Sequence, residues 1–101
     1  MEKRRPHWAL DQIHLLASDP KKIQFTRTAL DGGIDLGIDV QMMRSIVMGL
    51  RMSDFYKSMT TYVSSKVWQD VYRPRFRETS LYVKLTVVAD AELLIVSFKR
   101  R

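Results

Sequence analysis

The sequence contains no cysteine. This excludes disulfide bonds, thiolate zinc sites and iron–sulfur clusters, argues against redox chemistry, and is compatible with a reducing cytoplasm, where we expect the protein. The longest aliphatic run, Leu93 to Val96, is far too short to span a bilayer, and the basic N-terminal residues are not followed by the apolar run of a signal peptide. Glycine-rich phosphate loops and nucleophile elbows are also missing. We therefore expect a soluble intracellular protein.

Acidic residues are fewer than basic residues in this sequence. The 11 Asp and Glu residues stand against 17 Lys and Arg, which gives a net charge of +6 and an isoelectric point near 9.9. Such a balance favours a polyanionic partner such as nucleic acid, although many small basic domains bind none. Clustering of the basic residues strengthens this interpretation. The clusters lie at residues 3–5, 21–22, 73–77 and 99–101.

The first half of the sequence has the apolar spacing of amphipathic helices. Pro6 is placed to begin one helix, which ends before Ser18. Asp39 is a good N-cap for another helix, which extends to Leu50. Between them the sequence predicts a short strand or extended link, and then a short helix from Thr28 that is broken or ended by the glycines after it.

The second half changes to the alternation of β-strands. Ser53 and Asp54 first predict one more helical turn, containing residues 55–57. Strands are then predicted at 66–72, 81–88 and 93–98. This segregation predicts an α+β fold, with N-terminal helices packed on an antiparallel sheet in one domain that covers residues 1–101.

The last two strands predict a β-hairpin with chemically different faces. A fold about Asp90-Ala91, with a four-residue loop at 89–92, pairs positions whose numbers sum to 181. Tyr82 then lies opposite Lys99 on the polar face, close enough for both to touch one phosphate. Lys84, Thr86 and Ile95 fall on the same face. The apolar face would hold Leu81, Val83, Leu85, Val87, Leu94, Val96 and Phe98.

A row of arginines precedes this hairpin. In extended geometry Gln69, Arg73, Arg75 and Arg77 project to one side. The three guanidinium groups would suit successive phosphates, so these arginines are candidates for binding a nucleic acid such as RNA. The alternative is a solvated edge strand in which Pro74 blocks further pairing.

The histidines do not suggest a metal site. His7 and His14 are seven positions apart with no third ligand cluster nearby, so neither a metal nor another cofactor is expected. A nuclease without metal can use the 2′-hydroxyl of RNA as the nucleophile, assisted by a base, an acid and cations. Lysine, tyrosine and arginine can fill these roles, provided that a lysine base has a lowered pKa. DNA would not be cut.

Three blocks of the sequence resemble the MqsR toxin family, whose members are ribosome-independent mRNA interferases of type II toxin–antitoxin systems. The blocks are 54–62 (DFYKSMTTY), 68–74 (WQDVYRP) and 94–99 (LIVSFK). The resemblance implies a RelE/ParE-like α+β fold and endonucleolytic cleavage of mRNA near a GC dinucleotide, as in GCU. Its implied active-site residues are Lys57, Gln69, Tyr82 and Lys99.

The resemblance also implies a protein partner. Family members pair with a cognate MqsA-like antitoxin that has a zinc-binding N-terminal domain and a helix-turn-helix C-terminal domain. The complex controls a promoter, so promoter DNA would be contacted through the antitoxin. Two alternatives remain open, namely a non-catalytic RNA-binding module and a protein that only sequesters the antitoxin.

Overall fold

The computed structural model describes residues 1–101, apart from the side chain of Asp90. Its helices are α1 (Leu10–Ala17), α2 (Arg27–Asp35) and α3 (Val40–Met48), with short 3₁₀ turns at Met52–Asp54 and Ala89–Ala91. Its strands are β1 (Glu2–Lys3), β2 (Ile23–Phe25), β3 (Phe55–Thr60), β4 (Trp68–Tyr72), β5 (Arg75–Phe76), β6 (Thr79–Val88) and β7 (Glu92–Arg100).

The strands form one sheet in the order β1-β3-β4-β6-β7-β2, and β5 pairs with β6 beside this path. All pairs are antiparallel except β2 with β7, which is parallel. The predicted α+β fold is therefore confirmed, while β1, β3 and β5 are strands that the sequence pattern did not predict. None of the helices in the described part of the chain combines the length and apolar content needed to cross a membrane.

The helices pack on one face of the sheet and leave the other, which we call the open face, without a helical cover. Helix α2 lies across β7, and α1 packs against α3. Gly32 allows the close approach of α2, because a Cβ at this position would overlap the carbonyl oxygen of Phe98. The fully buried core between the two layers includes Ile13, Ala29, Met43, Val47, Tyr72, Val83, Leu85 and Phe98.

Helix α1 begins at Leu10, so the prediction that Pro6 begins it is wrong. The backbone N–H groups of His7 and Trp8 donate to the carboxylate of Asp70, at 3.0–3.1 Å. Asp70 is fully buried in β4 and binds these amides in place of a helical turn. This contact fixes the N-terminal segment against the sheet.

The other helix boundaries follow local capping chemistry. Helix α2 starts after Thr26, whose hydroxyl accepts the N–H of Ala29 at 3.1 Å, and it continues through both of its glycines. It ends before Gly37, where a φ of 72° is available to glycine at low cost. The N-cap prediction for α3 is confirmed, because the Asp39 carboxylate accepts the N–H of Met42 at 2.8 Å.

Residues 55–57 belong to β3, so the helical turn predicted for them is wrong. The turn closes earlier, at Met52–Asp54, where the carboxylate of Asp54 accepts the N–H of Arg51 at 2.9 Å. The carbonyl oxygen of Asp54 then accepts the N–H of Arg73 at 2.7 Å, which brings the chain into the sheet. From Phe55 onwards the backbone pairs with β4.

The β6–β7 hairpin confirms half of the predicted register. Residues 81–84 pair with 97–100 at a sum of 181, but residues 85–88 pair with 92–95 at a sum of 180. The loop is one residue shorter than predicted, and a β-bulge at Val96 compensates for the difference. The side chain of Asp90, at the predicted turn, lies outside the described part of the structure.

This change of register moves side chains between faces. Ile95 is fully buried with Leu93, whereas Leu94 and Val96 are half-buried, so the predicted faces of residues 94–96 are wrong. The Thr26 hydroxyl donates to the carbonyl oxygen of Val96 at 2.7 Å, which secures the bulge. Beyond the bulge, Tyr82 still pairs with Lys99 as predicted.

Candidate active site

The polar side chains of the central strands lie together on the open face. Lys57 in β3 and Lys84 in β6 are both register partners of Val71 in β4, and Gln69 lies two residues before Val71. Positions that pair directly, or that are two apart on one strand, share a face. We call Lys57, Gln69, Tyr82, Lys84 and Lys99 the open-face cluster. It contains all four active-site residues implied by the family resemblance.

The ring of Tyr82 lies near two lysine side chains. The ammonium nitrogens of Lys99 and Lys84 lie 5.3 Å and 5.9 Å from the centroid of its ring. Partial burial raises the pKa of Tyr82, while the positive charge of Lys57 acts in the opposite direction. The phenol therefore remains protonated at neutral pH, which is the form that an acid requires.

Lys57 forms an ion pair with Glu2, which β1 brings across the edge of β3. The hydrogen bond from its ammonium group to the Glu2 carboxylate raises the pKa of Lys57 and lowers the pKa of Glu2. Lys57 is thus held in its charged form, contrary to what a lysine base needs. Its ammonium group is suited to stabilising negative charge.

Lys84 differs from Lys57 in its electrostatic surroundings. Burial lowers the pKa of Lys84, and the charges of Lys99 and Lys57 lower it further. The alternation of β6 already predicts this side chain on the polar face, but the family resemblance does not name it. The structure therefore adds one cation to the four residues that the sequence identified.

A cleft of about 370 Å³ opens beside the cluster. Gln69 and Lys84 line it together with Glu2, Met59 and Thr60. A larger groove, of about 560 Å³, lies at the opposite edge of the sheet beside β2 and is remote from these residues. Of these two cavities, the smaller cleft is therefore the one that adjoins the open-face cluster.

The three arginines do not form one extended row, so that part of the prediction is wrong. Strand β4 ends at Tyr72, and Arg77 adopts a φ of 54° in the turn between β5 and β6. The Arg75 guanidinium donates to the carbonyl oxygen of Glu78 at 3.2 Å, and that of Arg77 lies over the ring of Phe76. Arg73 instead contacts Tyr56, next to Lys57.

The two histidines make contacts that stabilise the fold. His14 donates from Nε2 to the carbonyl oxygen of Leu50 at 2.8 Å, and His7 stacks on Trp68 with ring centroids 5.5 Å apart. Within the described side chains, no three His, Cys, Asp or Glu residues converge on a point that could hold a metal ion.

Comparison with known proteins identifies the family of the chain. The model of the family described as "Motility quorum-sensing regulator, toxin of MqsA" matches residues 5–100. The chain is also 48% identical, over 101 residues and 100% of both chains, to the mRNA interferase toxin MqsR of Escherichia coli (strain K12). On the match to nearly its whole length, this chain belongs to the MqsR toxin family.

Proposed function

We propose that the open-face cluster is the active site at which this toxin cleaves RNA without a metal ion. The observation that carries the proposal is the position of Tyr82, a protonated phenol that lies among the side chains of Lys57, Lys84 and Lys99. Such a site attracts a phosphodiester and repels a divalent cation.

The general activity follows from the family. The chain is a toxin with mRNA-cleaving activity, and the related E. coli protein carries the name mRNA interferase toxin. We propose cleavage next to GC-containing triplets such as GCU, inhibition of translation as the result, and action in the cytoplasm, where mRNA is located. The alternatives are a non-catalytic RNA-binding module and a module that only sequesters the antitoxin, and cleavage of a defined RNA distinguishes the ribonuclease from both.

The proposed reaction is an intramolecular transfer. The 2′-hydroxyl loses its proton to a base and attacks the neighbouring phosphorus, while the bond to the 5′-oxygen breaks. Tyr82 gives its proton to that leaving oxygen, and the ammonium groups of Lys57 and Lys99 stabilise the negative charge on the phosphorane oxygens. Gln69, which lines the adjoining cleft, would donate a hydrogen bond to the same group. The products are a 2′,3′-cyclic phosphate and a 5′-hydroxyl.

The mechanism can be tested by identifying the end groups of the products that are formed from a defined RNA. We expect an RNA with one GCU triplet to yield a 2′,3′-cyclic phosphate and a 5′-hydroxyl, at the same rate with and without EDTA. A matched oligonucleotide with a 2′-deoxy sugar at the reacting position should stay intact. A 5′-phosphate product, or activity that EDTA abolishes and magnesium restores, would refute the mechanism.

Lys84 is the lysine suited to act as the base, because its surroundings favour a neutral amine. The cleavage rate should then rise with pH towards the lowered pKa of Lys84, and Lys84→Gln should be slower and lose most of that rise. Single-turnover rates from about pH 6 to about pH 9 would measure this. Lys21→Gln, an exposed substitution with the same charge change, is the control. An unchanged pH profile in Lys84→Gln would assign the base elsewhere.

We further propose an MqsA-like antitoxin as the protein partner, with a zinc-binding N-terminal domain and a helix-turn-helix domain that contacts promoter DNA. A strand of the antitoxin can pair with a sheet edge such as β2, which has three residues and a groove at its flank. Tyr82→Phe and Lys99→Ala should therefore bind the co-encoded antitoxin with near-parental affinity in a titration. Loss of binding in either folded variant would place the antitoxin in the active site instead.

A further inference from the structure

Tyr56 carries an unusual concentration of positive charge around one ring. The guanidinium carbon of Arg73 lies over the ring, 3.9 Å from its centroid. The Lys57 ammonium nitrogen and the Arg4 guanidinium carbon lie 5.3 Å and 5.7 Å from the same centroid. Tyr56 is half-buried. Proteins that bind single-stranded nucleic acids combine aromatic rings of this kind, on which bases stack, with positively charged side chains beside them.

A second β-bulge explains why Tyr56 lies there. The register between β3 and β4 shifts between Phe55 and Lys57. Phe55 can thus stay with the core, its ring centroid 5.4 Å from that of Tyr72, while Lys57 reaches the open face. Tyr56 is the extra residue, and the bulge turns its ring towards the cluster. β-Bulges next to active sites commonly re-aim a side chain in this way.

The ring is close to the reacting groups. The ammonium nitrogen of Lys57, a member of the open-face cluster, lies 5.3 Å from the centroid of the Tyr56 ring. Lys57 also follows Tyr56 directly in the sequence. A nucleotide on Tyr56 would therefore be next to the phosphodiester held by the open-face cluster.

The cations at this ring retain free hydrogen-bonding capacity. Arg73 is anchored by its backbone, whose N–H donates to the carbonyl oxygen of Asp54 at 2.7 Å. Among the side chains that the structure describes, neither Arg73 nor Arg4 has an ion-pair partner or a hydrogen bond from its guanidinium group. Each guanidinium group can therefore donate to phosphate oxygens without breaking an existing contact.

We propose that Tyr56, Arg73 and Arg4 form a nucleotide-binding subsite for an RNA residue that flanks the cleaved bond. The base of that residue extends the Arg73–Tyr56 stack, and its phosphate accepts hydrogen bonds from the two guanidinium groups. The proposal rests on the proposed ribonuclease function. Because every base has a π-face, this subsite supplies affinity and orientation rather than choice of sequence.

Binding of an uncleavable RNA tests the subsite separately from catalysis. The probe is a short RNA that the parent cleaves, with a 2′-deoxy sugar at the reacting nucleotide, and a matched series that carries one abasic residue at each flanking position. Tyr56→Leu should weaken binding of the intact probe about five- to hundredfold, the effect of one lost base stack. Tyr56→Phe keeps the ring and should bind within about twofold of the parent.

One abasic position should identify the stacked base. At that position the parent should bind the abasic probe as weakly as Tyr56→Leu binds the intact probe. Tyr56→Leu should bind the abasic and intact probes equally well, because its stacking contact is already lost. Arg73→Gln should lower the slope of log affinity against log salt by about one phosphate contact. Arg27→Gln, which removes a charge from an exposed residue of α2, should not change it.

The outcomes separate the two proposals. If the parent cleaves the all-ribose RNA but Tyr56→Leu binds every probe as the parent does, the subsite is wrong and the ribonuclease function stands. Equal losses in Tyr56→Phe and Tyr56→Leu, with both variants folded by circular dichroism, would also overturn the stacking role. A parent that neither binds nor cleaves RNA would overturn both.

Discussion

Tyr82→Phe is expected to cleave RNA roughly ten to a thousand times more slowly than the parent, the usual effect of removing one proton-transfer or charge-stabilising group. The substitution removes one hydroxyl and keeps the ring between Lys84 and Lys99. Folding and RNA affinity should therefore be retained. Single-turnover cleavage at saturating enzyme, together with binding of a 2′-deoxy probe, separates the chemical step from binding.

Tyr72→Phe is the matched control for that experiment. Tyr72 is fully buried in the core, and its hydroxyl has no hydrogen-bond partner among the described atoms. Burial raises its pKa, so the hydroxyl remains neutral. Its removal should leave cleavage unchanged and stability equal or slightly higher, since an unsatisfied buried polar group is costly. Equal single-turnover rates for Tyr82→Phe and the parent would show that Tyr82 only packs or stacks.

Gly32→Ala is expected to destabilise the protein by about 3 kcal/mol or more, because the added methyl group cannot be accommodated without moving backbone. A Cβ at Gly32 would overlap the carbonyl oxygen of Phe98 and lie 2.9 Å from its carbonyl carbon. Separation of α2 from β7 would also move Lys99, the next residue, so activity should fall together with stability. Urea denaturation measures the free energy of unfolding.

Gly49→Ala is the control for this effect. At Gly49 the nearest atoms to an added Cβ lie 3.5 Å and 3.6 Å away, which is ordinary contact, and its φ of −92° suits alanine. This variant should match the parent or gain a few tenths of a kcal/mol from the lower entropy of its unfolded chain. A Gly32→Ala protein as stable as Gly49→Ala would mean that α2 does not lie against β7 as described.

Local chemistry predicted the parts of the fold that depend on neighbours in sequence. Asp39 caps α3, and the alternation of β6 places Tyr82 and Lys84 on one face. These features need only side-chain period and the preference of short polar residues for helix ends. The pairing of Tyr82 with Lys99 was also predictable, because a hairpin joins the two strands.

The features that were missed depend on contacts between distant parts of the chain. Asp70 holds the amides of His7 and Trp8 across more than 60 positions, which removes the first turn of the predicted helix. Glu2 reaches Lys57 through a strand of two residues, too short to show any period. Lys57 itself was identified through family resemblance, since the helical turn predicted for it hid its place on the sheet.

The bulge at Val96 determines which residue of the hairpin can be removed without disturbing the pairing of Tyr82 with Lys99. Val96 is the residue of β7 that has no partner in β6. Deletion of Val96 would leave both halves of the hairpin in their present register, with Lys99 opposite Tyr82 and with Leu93 and Ile95 in the core. A second deletion in β7 would have no unpaired residue to compensate for it, and it would turn Lys99 towards the helices.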